Sequence, residues 1–244
     1  MLAKPVGDLP RGAVIMPALN EAAVISNLIS DIKTCTELPV WVIDDQSTDN
    51  TALLAEQTGA KVFVLPHRLG AWGATQTGIR QAANRGMTFV VTMDADGQHH
   101  PSNIPALMRP VLAGECDVAI GSSPQRGSGL RKFAWRLMRL TSGLKCTDIT
   151  SGFRALNADA ISLLAGKEAS GLDYQDVGVL LLMEREGLRI AEVPVEMPPR
   201  VDGHSRIFSS WFVVFSYMAQ TLILGLFKRR VPWRKFRAHR QHRL

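Results

Sequence analysis

Cysteine is scarce in this sequence of 244 residues, which contains three copies, at positions 35, 116 and 146. They are far apart, odd in number and form no CxxC pair, so we expect neither a disulfide framework nor a thiolate zinc site. This usage fits a reducing, cytosolic setting. The first residues show neither an Arg-rich nor an apolar leader, so we also expect no cleaved signal and no N-terminal anchor.

Two widespread phosphate-binding motifs are missing as well. The sequence has no GxxxxGK[ST] segment, which excludes a Walker-type phosphate loop, and no GxGxxG segment after its first apolar run, which disfavours a dinucleotide site. The acidic segment 94–105 does not fit an EF-hand, because its glycine is at the fourth position rather than the sixth and its twelfth residue is Pro105 rather than Glu.

An excess of basic charge is absent from most of the chain. The formal net charge is +6, yet segment 228–244 holds eight Lys or Arg and no Asp or Glu, which leaves 20 basic and 22 acidic residues elsewhere. The main body therefore lacks the electrostatic footprint of a nucleic-acid-binding domain. We expect no nucleic-acid partner.

Segment 207–227 precedes this basic tail and contains no charged residue. Its length could span a bilayer, but on a helical wheel its Ser, Thr and Gln side chains share one side, opposite the large apolar ones. This pattern favours a helix in the membrane interface over a single span, and the polybasic tail 228–244 favours attachment to an anionic membrane surface. A C-terminal core helix with a solvated basic end is the alternative.

Short apolar segments rich in β-branched residues alternate with helix-like segments over the rest of the chain. Strands are predicted at 12–17, 39–44, 61–66, 89–94 and 116–121, and helices at 20–33, 51–59, 73–86 and 103–114. This alternation predicts an α/β fold with a mostly parallel central sheet and helices on both faces. Ligands of such sheets bind beyond the carboxyl ends of the strands.

Three of the predicted strands end in acidic or amide clusters, which are PALNE (17–21), IDDQSTDNT (43–51) and DADGQHHP (94–101). A single Asp at a strand end is usually a helix cap, whereas three clusters at one edge indicate a site for sugar hydroxyls and a divalent cation. Two Asp with Gln98 favour a hard cation, Mg²⁺ or Mn²⁺. The adjacent His99 and His100 diverge, and we expect them to be structural or to line the pocket.

Six motifs in order make the chain resemble glycosyltransferase family 2 from about Ala13 to Arg206, and within it the dolichyl- and polyprenyl-phosphate mannosyl- and glucosyltransferases. They are PALNE, IDDQSTDNT, HRLGAWGATQTGI, DADGQHHP, DITSGFRALN and EVPVEMPPRVDGHSR. The resemblance implies a GT-A fold for residues 1–206. Segment 207–227 is then expected to be an amphipathic membrane-associating helix and 228–244 a polybasic tail.

The resemblance also implies roles for single residues, in a site for the nucleotide-sugar donor and in a site for a divalent metal ion. Those that hold the nucleoside are Pro17, Leu19, Glu21, Ile43 and Asp45. Those that contact the ribose, the diphosphate and the Mg²⁺ or Mn²⁺ ion are Asp94, Ala95, Asp96 and Gln98, with Asp94, Asp96 and Gln98 as the metal ligands. Arg200 and Arg206 are implied to close over the diphosphate, and with Asp94 and Asp96 they form the expected catalytic set.

The acceptor end departs from the family pattern, because Ser123 stands where the group usually has Arg after its fifth strand. Arg126 is the candidate replacement, and further candidates for binding the acceptor phosphate are Arg131, Lys132 and Arg136. A solvated basic helix face is the alternative for these residues. If the acceptor is a hydroxyl, a general base is needed, and Asp148 and Asp176 are its candidates.

The expected function is metal-dependent, inverting transfer of one sugar from a nucleotide-diphospho-sugar to polyprenyl phosphate. The expected location is the cytoplasmic face of a membrane, with peripheral attachment or a single C-terminal anchor. A hydroxyl acceptor is the first alternative, and a non-catalytic membrane-binding module with a degenerate nucleotide site is the second. Polymer synthesis is disfavoured because the Q-x-x-R-W motif of processive synthases is absent.

Overall fold

A computed structural model of the protein describes residues 11–123, 146, 148, 151–170 and 177–196. In this part of the chain, seven strands form one sheet in the order β3-β2-β1-β4-β6-β5-β7. They are β1 (Gly12–Ala18), β2 (Val40–Asp44), β3 (Lys61–Val64), β4 (Phe89–Thr92), β5 (Val118–Ser122), β6 (Arg154–Asn157) and β7 (Ile190–Pro194).

The sheet is parallel except around one strand. β1 pairs in parallel with β2 and β4, β2 with β3, and β5 with β7. β6 runs antiparallel to both β4 and β5. The predicted α/β fold with a mostly parallel sheet is therefore confirmed, although the predicted strands included neither β6 nor β7.

Helices cover both faces of the sheet, as predicted. They are α1 (Ile25–Cys35), α2 (Thr51–Gln57), α3 (Gly70–Asn84), α4 (Ile104–Leu112), α5 (Ala158–Ala165) and α6 (Val177–Arg185), with short 3₁₀ turns at Pro101–Asn103 and Lys167–Ala169. Side chains of α1, α2 and α4 bury one face of the sheet, and those of α3, α5 and α6 bury the other.

Successive side chains of a strand point to opposite faces of the sheet, so each buried strand contributes side chains to both hydrophobic cores. In β1, Ile15 packs with α3 and its neighbours, whereas Val14 and Met16 pack with α1 and α4, and all three are fully buried. A strand buried on both faces reads as a continuous apolar run, which is why β1, β2 and β4 are recognisable from the sequence.

Helix α1 begins at Ile25, five residues later than predicted. The residues before it are held by another loop, because the backbone N–H groups of Asn20, Glu21 and Ala22 donate to side chains of the segment 47–51. Asn20 also has a φ of +55°, a left-handed conformation that no helix continues through. Tertiary hydrogen bonds therefore delay the helix start.

No helix within the described ranges is long and apolar enough to cross a membrane. The predicted membrane-associating helix 207–227 and polybasic tail 228–244 lie outside those ranges. Both remain predictions from the sequence.

Candidate active site

The three polar clusters meet at one edge of the sheet, because β1, β2 and β4 are adjacent and parallel. Ala18 of β1 pairs with Asp44 of β2, and Ile15 pairs with Thr92 of β4. The chain order along the sheet reverses at β1, with β2 on one side and β4 on the other. Such a reversal leaves a crevice beyond the carboxyl ends of the strands, where ligands bind in open α/β sheets.

The loop after β1 is tied to the loop after β2 through Asn20. Its Oδ1 accepts the backbone N–H of Thr48 at 2.7 Å, and its own backbone N–H donates to Oγ of Ser47 at 2.9 Å. Asn tolerates the left-handed conformation that this geometry requires. The Asn of PALNE and the Ser of IDDQSTDNT are thus bonded to each other, and they fix the shape of the side of the crevice that is predicted to hold the nucleoside.

Asp49 and Thr51 make the second connection between the same two loops. Asp49 accepts the backbone N–H of Ala22 at 3.2 Å and that of Thr51 at 3.0 Å, and it also accepts the Thr51 hydroxyl. Thr51 Oγ1 in turn accepts the Glu21 N–H at 2.8 Å. Burial acts to raise the pKa of Asp49, but the hydrogen bonds from Thr51 and Ala22 outweigh it and the pKa is lowered.

Asp45 is a buried carboxylate, 3% exposed, that holds a third loop. One of its oxygens accepts the backbone N–H of Leu69 at 2.6 Å and the other accepts that of Gly70 at 2.8 Å. These two N–H groups lie at the start of α3. A negative charge is favourable there, because the first N–H groups of a helix have no partner inside the helix. The structure places Asp45 at the predicted site and gives it a structural task there; its contact with a nucleoside stays a prediction.

The other residues predicted to hold the nucleoside line the same edge. Pro17 and Ile43 pair with each other in adjacent strands. Ile43 is fully buried, whereas Leu19 and Glu21 are half-buried in the loop that follows β1. Side chains of Leu19 and Glu21 are therefore better placed than Ile43 to reach a ligand.

The segment Asp94–Gln98 follows β4 directly and forms a tight turn. Oδ1 of Asp96 accepts the backbone N–H of Gln98 at 3.0 Å, and Gly97 has a φ of +74° that favours glycine. The Asp94 side chain is 34% exposed, while Ala95 is buried beneath it. Asp94, Asp96 and Gln98 thus belong to one turn at the end of β4, which borders the crevice.

This donor set fits a hard divalent cation that shares its coordination with a substrate. Among the residues that the structure describes, no group of three or more His, Cys, Asp or Glu side chains could hold a metal ion alone. Asp94, Asp96 and Gln98 would supply three oxygen donors, which suits Mg²⁺ or Mn²⁺, since these ions keep water and bind substrate phosphates.

Asp148, a candidate base, is fully buried. Its Oδ2 accepts the backbone N–H of Ser123 at 3.2 Å, and its own N–H donates to Oε1 of Glu192 at 2.9 Å. These contacts join the residue after β5 and the middle of β7 to the segment before β6. The carboxylate thus has a structural task here, and its role as a base stays a prediction.

The remaining predicted site residues lie outside the described ranges. They are Arg126, Arg131, Lys132, Arg136, Asp176, Arg200 and Arg206. Their roles as acceptor-phosphate ligands, base or diphosphate clamp stay predictions.

The sequence did not predict the contacts that hold α3 against α5 and the turn after it. Trp72 Nε1 donates to the Ala169 carbonyl at 2.8 Å, Gln76 Nε2 to that of Leu164 at 3.0 Å, and Arg80 Nε to that of Ala165 at 3.0 Å. These three residues are four apart and share one helix face. That spacing is the sequence signal for a row of donors on one face, which bind the carboxyl end of α5 and the 3₁₀ turn after it.

The sheet order, the helices on both faces and the crevice beyond β1 and β4 define a GT-A glycosyltransferase fold. The chain belongs to glycosyl transferase family 2, whose family model matches residues 13–163. It is a glycosyltransferase, as the sequence motifs predicted.

Relatives and solved structures agree with this assignment. An undecaprenyl-phosphate mannosyltransferase of Micrococcus luteus is 33% identical over 216 residues, which cover 81% of this chain and 87% of the relative. A polyprenol monophosphomannose synthase of Mycolicibacterium smegmatis is 29% identical over 220 residues, 82% of each chain. Glucosyl-3-phosphoglycerate synthase from Mycobacterium tuberculosis, solved with Mn²⁺, UDP and phosphoglyceric acid, has a TM-score of 0.66 and 25% identity, covering 92% of this chain and 80% of that one.

Proposed function

We propose that this glycosyltransferase moves one sugar from a nucleotide-diphospho-sugar to polyprenyl phosphate, with inversion at the anomeric carbon and with a divalent cation. The observation that carries the donor half is the position of Asp94, Asp96 and Gln98. They follow β4, next to the loops after β1 and β2 that are predicted to hold the nucleoside.

Each part of the site has a task in this reaction. The loops of PALNE and IDDQSTD, held rigid by Asn20 and Asp49, orient the nucleoside. Asp94, Asp96 and Gln98 hold Mg²⁺ or Mn²⁺, which when bound stabilises the negative charge of the departing nucleoside diphosphate. Arg200 and Arg206 are proposed to bind the same phosphates through their planar, bidentate guanidinium groups.

A phosphate acceptor fits the groups that the site offers. Phosphate is already ionised at neutral pH, so its oxygen attacks the anomeric carbon without a general base. Asp148, a candidate base, is buried and accepts the Ser123 N–H in this structure, which favours an acceptor that needs no base. The names of the bacterial mannosyltransferase and mannose synthase relatives support polyprenyl phosphate, and Arg126, Arg131, Lys132 and Arg136 are its proposed ligands.

A second candidate acceptor is a small phosphorylated molecule with a free hydroxyl. The solved glucosyl-3-phosphoglycerate synthase was crystallised with phosphoglyceric acid, which has both groups. In that case Asp176, the other candidate base, would be needed to accept the hydroxyl proton.

We further propose that the enzyme works at the cytoplasmic face of a membrane, where it meets its lipid acceptor. The uncharged segment 207–227 and the eight basic residues of 228–244 support this location. Deleting 228–244 should weaken binding to anionic vesicles in a salt-dependent way, as measured by flotation. Equal flotation of the truncated and full-length chains would contradict polybasic attachment.

The reaction itself can be tested with the full-length protein. It is incubated with UDP- and GDP-sugars, with Mg²⁺, Mn²⁺ or a chelator, and with either a short polyprenyl phosphate or phosphoglyceric acid. We expect a glycosylated polyprenyl phosphate, detected by mass spectrometry, that forms only with a divalent ion and carries the inverted anomeric configuration by NMR. Product from phosphoglyceric acid alone would favour the hydroxyl acceptor, and product in the presence of chelator would contradict the role of the metal.

A further inference from the structure

His99 lies directly behind the turn that carries the predicted metal ligands. Its side chain is 1% exposed, and its Nδ1 accepts a hydrogen bond of 3.1 Å from the backbone N–H of Asp94. Its Nε2 lies 3.8 Å from Oδ2 of the same residue. The imidazole therefore faces both the backbone and the carboxylate of Asp94.

The hydrogen bond to Asp94 determines where the ring carries its proton. A backbone N–H only donates, so Nδ1 of His99 must present a lone pair, and the neutral imidazole then has its proton on Nε2. Nε2 lies 3.8 Å from Oδ2 of Asp94, which is too far for a hydrogen bond. The hydrogen bond at Nδ1 is therefore the contact that favours one orientation of the Asp94 turn.

The ring of His99 is itself held by the framework. It stacks on Phe153, with ring centroids 5.1 Å apart and planes 16° apart. Phe153 is fully buried, and a Cβ placed at Gly121 would lie only 2.9 Å from its ring, so β5 closely confines the aromatic side chain. Thr92 Oγ1 also donates to the Gly152 carbonyl at 2.7 Å, which fixes the end of β4 next to this platform.

We propose that His99 is a positioning residue for the divalent cation, one that does not touch the ion but holds Asp94 in the orientation that binds it. The inference rests on the proposed function, because it takes Asp94 as a ligand of the ion and the diphosphate. A ligand that must meet an ion at a fixed distance depends on the groups behind it. Loss of such a supporting contact typically costs about 10–100-fold in metal affinity.

Two substitutions distinguish the effect of the Nδ1 acceptor on metal binding from the effect of ring packing. His99→Phe keeps a ring that can stack on Phe153 but removes Nδ1. His99→Asn loses the ring but keeps an oxygen that can accept near the position of Nδ1. His100→Phe is the matched control, because His100 is the exposed neighbour.

Mn²⁺ affinity is measured on full-length protein with UDP or GDP, by following free Mn²⁺ with electron paramagnetic resonance. His99→Phe should weaken Mn²⁺ binding by about 10–100-fold, His99→Asn should restore most of it, and His100→Phe should match the wild type. Amide hydrogen exchange of Asp94, measured by NMR without metal, should be faster in His99→Phe than in the wild type and in His99→Asn.

Equal Mn²⁺ affinity of His99→Phe and the wild type would overturn the proposal. The proposal would also be overturned if both His99→Phe and His99→Asn bind Mn²⁺ weakly while the Asp94 amide stays protected from exchange. Ring packing alone would then explain the loss of Mn²⁺ affinity. If the wild type binds no Mn²⁺ with either nucleotide, the proposed function fails, and Asp94 exchange alone decides whether His99 holds the turn. If His99→Phe does not fold, the ¹⁵N spectrum of wild-type His99 decides, since a protonated Nδ1 contradicts the geometry.

Discussion

Replacing Asp45 by Asn tests whether the nucleoside side of the site is built as the structure shows. The buried carboxylate accepts two backbone N–H groups at the start of α3, from Leu69 and Gly70. Asn has nearly the same shape, but only its oxygen can accept, so its amide N–H₂ faces one of the two donors. One part-buried N–H then loses its partner, and the negative charge at the helix N-terminus disappears.

The magnitude follows from these two losses. An unsatisfied donor costs about 1–3 kcal/mol when buried, and the lower part of this range applies here because Leu69 is 44% exposed. A charge at a partly buried helix N-terminus contributes up to about 2 kcal/mol. Because the two effects share one contact and are not additive, we expect Asp45→Asn to lower the free energy of unfolding by about 2–3 kcal/mol. Urea unfolding followed by tryptophan fluorescence measures this change, since buried Trp72 lies in α3 itself.

Asp31→Asn is the matched control, because the same chemical change occurs at an exposed position of α1. It should change the unfolding free energy by less than about 0.5 kcal/mol. The capping argument for Asp45 is refuted if Asp45→Asn is as stable as this control. Nucleotide affinity measured well below the unfolding transition then shows separately whether Asp45 also contacts the nucleoside.

Three further changes test other parts of the structure. Asp96→Ala should abolish the thermal stabilisation that Mn²⁺ and a nucleoside diphosphate give together; an unchanged shift would remove Asp96 as a ligand. Gly78→Ala should destabilise by about 1–3 kcal/mol in urea, despite the better helix propensity of Ala, because its Cβ would lie 2.4 Å from Ile15 Cγ2. Hydrogen bonds from Arg189 outweigh burial and lower the pKa of Asp117 below its ordinary 3.8. The stability that ionised Asp117 contributes is therefore present above about pH 4 and is lost as the pH falls through the lowered pKa. In an acid titration of unfolding free energy, Asp117→Asn should not show this loss of stability.

The sequence predicts the fold best where burial is simplest. β1, β2 and β4 are apolar on both faces and short, and each appears within two residues of its predicted end. β6 has the sequence RALN, in which Arg154 is buried and Asn157 is half-buried, so no apolar run or alternation marks it as a strand. β7 contains the half-buried Glu192 and lies at the sheet edge, where the apolar signal is weak.

The place of the site could be predicted because parallel strands bring their carboxyl ends to one edge. The contacts inside it could not, since Asp45 and Asp49 have the same side chain and no pattern tells which carboxylate serves a helix, a loop or a ligand. The late start of α1 has the same origin. It depends on Ser47, Asp49 and Thr51, which are more than twenty residues away in the chain.

The two motifs on the nucleoside side are therefore better understood as one structure than as two sets of ligands. Hydrogen bonds connect the two loops through the side chains of Asn20, Ser47, Asp49 and Thr51. These bonds determine the positions of Leu19 and Glu21. Substituting these bridging residues should then weaken nucleotide binding by displacing Leu19 and Glu21. His99 has the corresponding place behind Asp94, so the geometry on both sides of the crevice depends on hydrogen bonds that polar residues make within the protein.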